Sequence, residues 1–207
     1  MKLTYKKGKG DKIHISIDGE YALTVDEMYF TSLYLKDGQE ISEEEFTALS
    51  TTVNIRRAYN CAVSLLSRRD HSERELLRKL KEKGYAEGAQ EAVEKLKSSG
   101  YIDDERFCRL FASELVRLKG YGKKRVEQEL YRKGVSRDII YSVLEEITFD
   151  TDTLSDIIKR KYLSKLNDEK GRQRTFNALM RLGYSYSEIR EALISLDEEI
   201  TCEVYDE

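Results

Sequence analysis

The residue types that most often do chemistry are sparse in this chain and poorly placed for it. Its two histidines, His14 in an alternating apolar and polar run and His71 just ahead of a helical pattern, form no HExxH motif, and no serine or cysteine stands in a recognisable nucleophile arrangement. Each histidine is expected at the surface or at a helix cap. Cys61, Cys108 and Cys202 are odd in number and widely spaced, which excludes a disulfide framework or a zinc cluster of CxxC spacing and fits a reducing cytoplasm. Asp103, Asp104 and Glu105 are adjacent acids of the type that holds metal ions, but they follow Gly100-Tyr101-Ile102 and open a helix, where carboxylates satisfy free N–H groups and the helix dipole. Gly8-Lys9-Gly10 and Gly120-Tyr121-Gly122-Lys123-Lys124 resemble pieces of phosphate loops, yet neither has the GxxxxGK[ST] spacing after a strand, and both read as turns. Among the tyrosines, which are numerous enough to suggest base stacking, Tyr85, Tyr101 and Tyr184 fall at equivalent or near-equivalent helix ends, where packing against a core accounts for them. No catalytic residue, metal or cofactor is expected, and the chain reads as a binding protein rather than an enzyme.

What remains is charge. The formal net charge of -3 argues against a polyanionic partner for the chain as a whole, but the charge is unevenly spread. Residues 56–83 carry nine basic side chains against four acidic, residues 105–137 ten against four, and residues 159–190 nine against three. The compensating acids lie at Glu43, Glu44 and Glu45 and in a tail with Asp197, Glu198, Glu199, Glu203, Asp206 and Glu207, read as a plain solvated terminus, the alternative being a shield for the basic faces. One such basic segment is ordinarily a solvated helix face. Three at similar spacing suit phosphates or acidic protein patches, and above all a linear partner with its own repeat, because weak contacts add through effective concentration.

The elements that must position these charges are helices. With 40% hydrophobic residues, 36% charged and no proline, the composition is that of small, highly charged helical modules. The apolar stretches are far short of the roughly 18 to 20 residues a bilayer requires, so a soluble, cytoplasmic protein without an export signal is expected. Gly84, Gly134 and Gly183 recur about every fifty residues, each following a leucine (Leu80, Leu130, Leu179) by four positions. Aligned on them, Ser72, Gly122 and Gly171 each open a helix that the glycine stops in a left-handed C′ conformation. A further helix follows each glycine, with core candidates such as Val93 and Leu96, Val143 and Leu144, and Ile189 and Leu193. Another precedes it, with Ala58 and Ala62, Phe107 and Phe111, and Ile157, Ile158, Tyr162 and Leu163.

The expected fold is therefore mainly α, three tandem three-helix repeats in an elongated array: residues 51–102, residues 103–148, and residues 149–207 with the acidic C-terminal tail. Residues 1–50 read differently. Lys12-Ile13-His14-Ile15-Ser16-Ile17 and Glu20-Tyr21-Ala22-Leu23-Thr24-Val25 alternate about an Asp18-Gly19 type I′ turn signal, which predicts a β-hairpin. Short helices follow, the second opened by Ser42 with Glu45 completing a capping box.

Three stretches then resemble the bacterial RecX regulatory proteins: Leu65-Leu66-Ser67-Arg68-Arg69-Asp70-His71-Ser72-Glu73-Arg74-Glu75-Leu76, Gly100-Tyr101-Ile102-Asp103-Asp104-Glu105-Arg106-Phe107, and Gly183-Tyr184-Ser185-Tyr186-Ser187-Glu188-Ile189-Arg190-Glu191-Ala192-Leu193. The likeness spans all three repeats; Lys123 departs from it, standing where the family commonly has proline at the first helical position. The resemblance implies a monomer that lies in the groove of the RecA nucleoprotein filament and restrains its ATPase, strand-exchange and co-protease activities in DNA repair, recombination and the SOS response, with single- or double-stranded DNA as a further contact. The candidate contacts, chosen because they are basic and lie off the apolar stripes, are Arg68, Arg69, Arg74, Lys79, Lys124, Arg125, Arg132 and Arg174. The alternatives are a sequence-tolerant DNA-binding repeat protein acting without RecA, and an adaptor for another protein.

Overall fold

The computed structural model describes residues 1–149 and 151–205, the side chains of residues 151 and 198–205 excepted. Cys202 and the expected acidic tail beyond Asp197 lie outside the described side chains. Strands β1 (Leu3–Lys7), β2 (Lys12–Ile17) and β3 (Glu20–Asp26) form an antiparallel sheet in that order. The last two are the expected hairpin, and Asp18 (φ 51°) and Gly19 (φ 88°) both take the left-handed conformation of a type I′ turn. Strand β1 enlarges the hairpin to three strands. Only Leu3 and Tyr5 alternate there, among lysines, so its strand character comes from pairing with β2, from Leu3↔Ile17 to Lys7↔Ile13. The expected turn at Gly8 closes that pair, its N–H donating to the Lys12 carbonyl at 2.7 Å.

Helix α1 (Glu27–Ser32) is capped by Asp26, and α2 (Glu43–Leu66) opens with the full Ser42 and Glu45 capping box. Helix α2 runs unbroken through the boundary expected between residues 50 and 51. Its first half gives Phe46, Leu49 and Val53 to the core beneath the sheet, with Leu3, Ile15 and Leu23. Its second half buries Ala58 and Ala62. One helix thus serves the sheet and the first repeat, which relieves a small sheet of having to stand alone.

The first repeat continues with α3 (Glu73–Glu82) and α4 (Ala89–Ser98). The second is α5 (Asp104–Glu114), lengthened by a π-helical turn at Leu115–Lys119, then α6 (Lys123–Lys133) and α7 (Arg137–Glu146). The third is α8 (Thr151–Lys161) with a 3-10 turn at Leu163–Lys165, then α9 (Glu169–Leu182) and α10 (Tyr186–Tyr205). The apolar stripes meet as the spacing implies: Phe107, Leu130, Val143 and Leu144 lie in one core, and Ile158, Leu179, Ile189 and Leu196 in another. Two expectations fail. Leu163 is 41% exposed, because α8 stops at Lys161 and the tighter 3-10 turn carries Leu166 to the core instead. Tyr101 is 61% exposed; Ile102, its neighbour, takes the buried place.

The chain divides into two compact units, one of Met1–Arg69 with Leu76–Tyr101, the other of Asp70–Glu75 with Ile102–Glu207. The division does not follow the repeats: the start of α3 belongs to the second unit.

Candidate functional site

The second unit is organised by two junctions at which the carboxyl end of one repeat's middle helix meets the amino end of another's. At the first, α6 stops at Gly134 with φ 82°, and a Cβ added there would lie 2.6 Å from that of Arg74. Ser72, buried, donates its hydroxyl to the Lys133 carbonyl and accepts the Glu75 N–H at 3.2 Å. The Glu75 carboxylate, buried in turn, receives the Lys133 ammonium at 2.8 Å, and that ammonium also lies 5.3 Å from the Phe111 ring. The acids of α5 complete the junction. Asp103 caps its own helix through the Glu105 and Arg106 N–H groups, as expected of it, whereas Asp104 accepts the Glu73 N–H at 2.8 Å and so caps α3. Arg106 reaches Asp70 at 3.6 Å. His71, expected at the surface or as a cap, is 3% exposed, because residues 70–75 are packed into this unit.

The second junction repeats the first with backbone in place of side chains. Helix α9 stops at Gly183 with φ 97°; the Gly122 N–H donates to the Leu182 carbonyl at 2.9 Å and the Lys124 N–H to the Gly183 carbonyl at 3.3 Å. Leu182 and Lys133 hold the same place in the repeat, so one carbonyl position is served by a hydroxyl in one junction and by an amide in the other. Backbone meets backbone here: a Cβ on Gly122 would lie 2.7 Å from Gly183 backbone, leaving no room for a serine. The buried Tyr184 hydroxyl adds a bond to the Gly120 carbonyl at 3.1 Å, and burial pushes its pKa up to about 12. These bonds engage amides that a phosphate loop at residues 120–124 would need free, in keeping with the turn reading. They also explain why α6 forms with Lys123 at its first position and no acid in its first turn, since carbonyls at the negative end of α9 satisfy its amino end. Gly171 does not open its helix: α9 starts at Glu169, after the N-cap Asp168, whose carboxylate accepts the Gly171 N–H at 2.8 Å.

The expected contact residues divide between the two units. In the second unit, Arg74 stands at the first junction, where Arg132 and Lys133 form the last turn of α6, and Lys124 and Arg125 stand at the second. Arg74, Lys124 and Arg174 are exposed and form no ion pair among the described residues. Glu129 holds both Arg125, at 2.8 Å, and Arg132, at 3.3 Å, and Arg125 also lies over the Tyr121 ring. In the first unit, Arg68 and Arg69 are exposed beyond the end of α2, and Lys79 is half-buried in the last turn of α3. Arg172 is engaged by Asp197 through two bonds, at 3.0 and 3.2 Å. Arg109, between Glu105 and Glu146, is held protonated beyond its ordinary range by both carboxylates, and Glu146 is lowered in return.

Among the described residues no group of three or more potential metal ligands occurs, and no helix is long and apolar enough to cross a membrane. Sequence reasoning missed Ser72, Glu75, Asp104 and Lys133 as a linked set. Part of the signal was present, since Ser72, Glu75 and Asp104 fall in two of the motifs that resemble RecX, but only the fold shows that these motifs meet and that Lys133 joins them.

Comparison with known proteins gives two family matches: the first three-helix domain of RecX over residues 58–101 and the second over residues 103–144. The regulatory protein RecX of Caldanaerobacter subterraneus subsp. tengcongensis is 34% identical over 189 residues, covering 91% of this chain and 95% of that protein. That of Chlorobium phaeobacteroides is 31% identical over 139 residues, 67% of this chain and 92% of the relative. A crystal structure of regulatory protein RecX has the same fold with a TM-score of 0.61 at 22% identity, over 91% of this chain and 95% of that one. RecX from Lactobacillus salivarius matches with a TM-score of 0.62 at 20% identity, over 70% of this chain and 97% of that one.

Proposed function

This chain belongs to the RecX family of regulatory proteins, and from that premise we propose that it binds the RecA nucleoprotein filament and restrains its ATPase, strand-exchange and co-protease activities. The observation that carries the reading is the repeated junction. It sets exposed cations without ion-pair partners at corresponding places, Arg74 and Lys124, at the ends of rigid helices. Such charges meet acidic protein surface or phosphate without first breaking an internal pair. A polymeric partner with its own repeat gains from each additional contact of this kind.

Arg68, Arg69, Lys79 and Arg174 extend the proposed contact set; Arg125 and Arg132 join it only by leaving Glu129 or by presenting their remaining N–H groups. The test is binding of the chain to labelled RecA filaments assembled on single-stranded DNA. Lys124→Glu combined with Arg174→Glu is expected to weaken binding by about tenfold or more at low salt, with unchanged helicity. Unchanged affinity in a folded double variant rejects this face. Strong, salt-sensitive binding to naked DNA, with none to the filament's protein, favours the DNA-binding alternative.

A further inference from the structure

The first unit holds a cleft that the regulatory reading does not use. Its floor is one stripe of α2, with Thr52, Ile55, Arg56, Tyr59 and Asn60 recurring at the three- and four-residue spacing of a helix face. That spacing ordinarily marks a buried apolar stripe; here the stripe, Ile55 apart, is polar and aromatic and stays open. Tyr29 of α1 and Lys95 and Ser99 of α4 complete the lining, and the volume is about 690 Å³, within the usual size of small-molecule sites.

The lining contains two cations and no carboxylate, and among the described residues the one acid that pairs with either of them, Asp26, engages Arg56 through its Nε alone. Arg56 is held ready by two contacts: its Nε donates to Asp26 at 3.3 Å, and its guanidinium lies 4.4 Å from the Tyr29 ring centroid. Its two terminal amino groups have no hydrogen-bond partner among the described residues. Lys95 is exposed and forms no ion pair among the described residues. An oriented guanidinium and an available ammonium select an anion of phosphate type. The Tyr59 ring beside them offers a surface for a planar group, and the Asn60 amide and Ser99 hydroxyl offer donors and acceptors for its edge.

We propose that this cleft binds a nucleoside phosphate unit, with the phosphate at Arg56 and Lys95 and the base against Tyr59. The unit comes either from a single strand of nucleic acid or from a free nucleotide. The site is independent of the RecA reading, and its test contains no RecA.

The full-length chain is titrated into a fluorescent twelve-nucleotide thymidine strand, and the complex is photocrosslinked through 5-iododeoxyuridine and mapped by peptide mass. The expected crosslink falls within residues 52–60 or 95–99. Lys95→Glu, a surface change that leaves helicity intact, is expected to weaken the strand roughly tenfold and to reduce the salt slope by about one phosphate contact. Competition by thymidine monophosphate or ATP at comparable concentration assigns the site to free nucleotide, and failure of both to compete assigns it to the strand. No binding of strand or mononucleotide, crosslinks confined to other helices, an unchanged affinity in Lys95→Glu, or equal displacement by polyglutamate overturns the proposal.

Discussion

Gly84, Gly134 and Gly183 share one place in the repeat and one left-handed conformation, yet their substitutions are expected to differ. At Gly84 no heavy atom lies within 4 Å of an added Cβ, so Gly84→Ala meets only the left-handed backbone penalty of about 1 kcal/mol. At Gly183 the same methyl would lie 2.4 Å from the Arg125 backbone nitrogen, and Gly183→Ala is expected to cost about 3 kcal/mol or more in urea unfolding. Equal losses at the two sites would contradict the junction. The sequence made the helix stop legible at all three positions, because a left-handed C′ residue has a local signature; it hid the close approach, which depends on residues more than fifty positions away. Cys108 gives a second residue-scale expectation. Burial first, then the Asp104 carboxylate, pushes its thiol from 9.0 up to about 11, so the folded state favours the neutral form. Its contribution to stability is full below pH 9 and is lost as pH rises through about 11. Iodoacetamide at pH 8 is expected to modify half-buried Cys61 well before Cys108 in native protein; equal labelling rates would show Cys108 to be accessible.

At the scale of elements, the amino end of α3 is held by groups from two other helices, Asp104 of α5 and Lys133 of α6. Lys133→Met removes the ammonium that faces the Glu75 carboxylate, 4% exposed, and is expected to destabilise by about 3 kcal/mol. Adding Glu75→Gln removes the buried charge that Lys133 faced and is expected to restore part of that loss. A double variant no more stable than Lys133→Met would mean that the pair is not coupled. This arrangement also shows why the candidate site was only partly legible. Arg74, Lys124 and Arg174 could be picked out as basic residues off the apolar stripes, and the structure leaves them exposed. Arg125 and Arg132 satisfied the same rule but share Glu129, a pairing of i, i+4 and i, i+3 neighbours that the sequence contained and that a count of charges overlooks. The start of α9 shifted for a similar reason. Gly171 aligned with Ser72 and Gly122, but Asp168 lies three residues earlier and is the stronger cap.

For the molecule as a whole, periodicity disclosed three repeats because each helix carries its own apolar stripe, whereas the third strand and the sharing of α2 are products of tertiary packing. The two quoted motifs that meet at the first junction are largely structural, with Ser72, Glu75 and Asp104 spent on holding α3 in place. Regulation is therefore expected to reside in exposed cations around that frame. The most direct measurement is the single-strand-dependent ATPase of the cognate RecA, titrated with the folded chain below one molecule per RecA protomer. Inhibition is expected to deepen with added protein and to be weakened by Lys124→Glu with Arg174→Glu; an ATPase rate unchanged across the titration would contradict restraint of RecA by this chain.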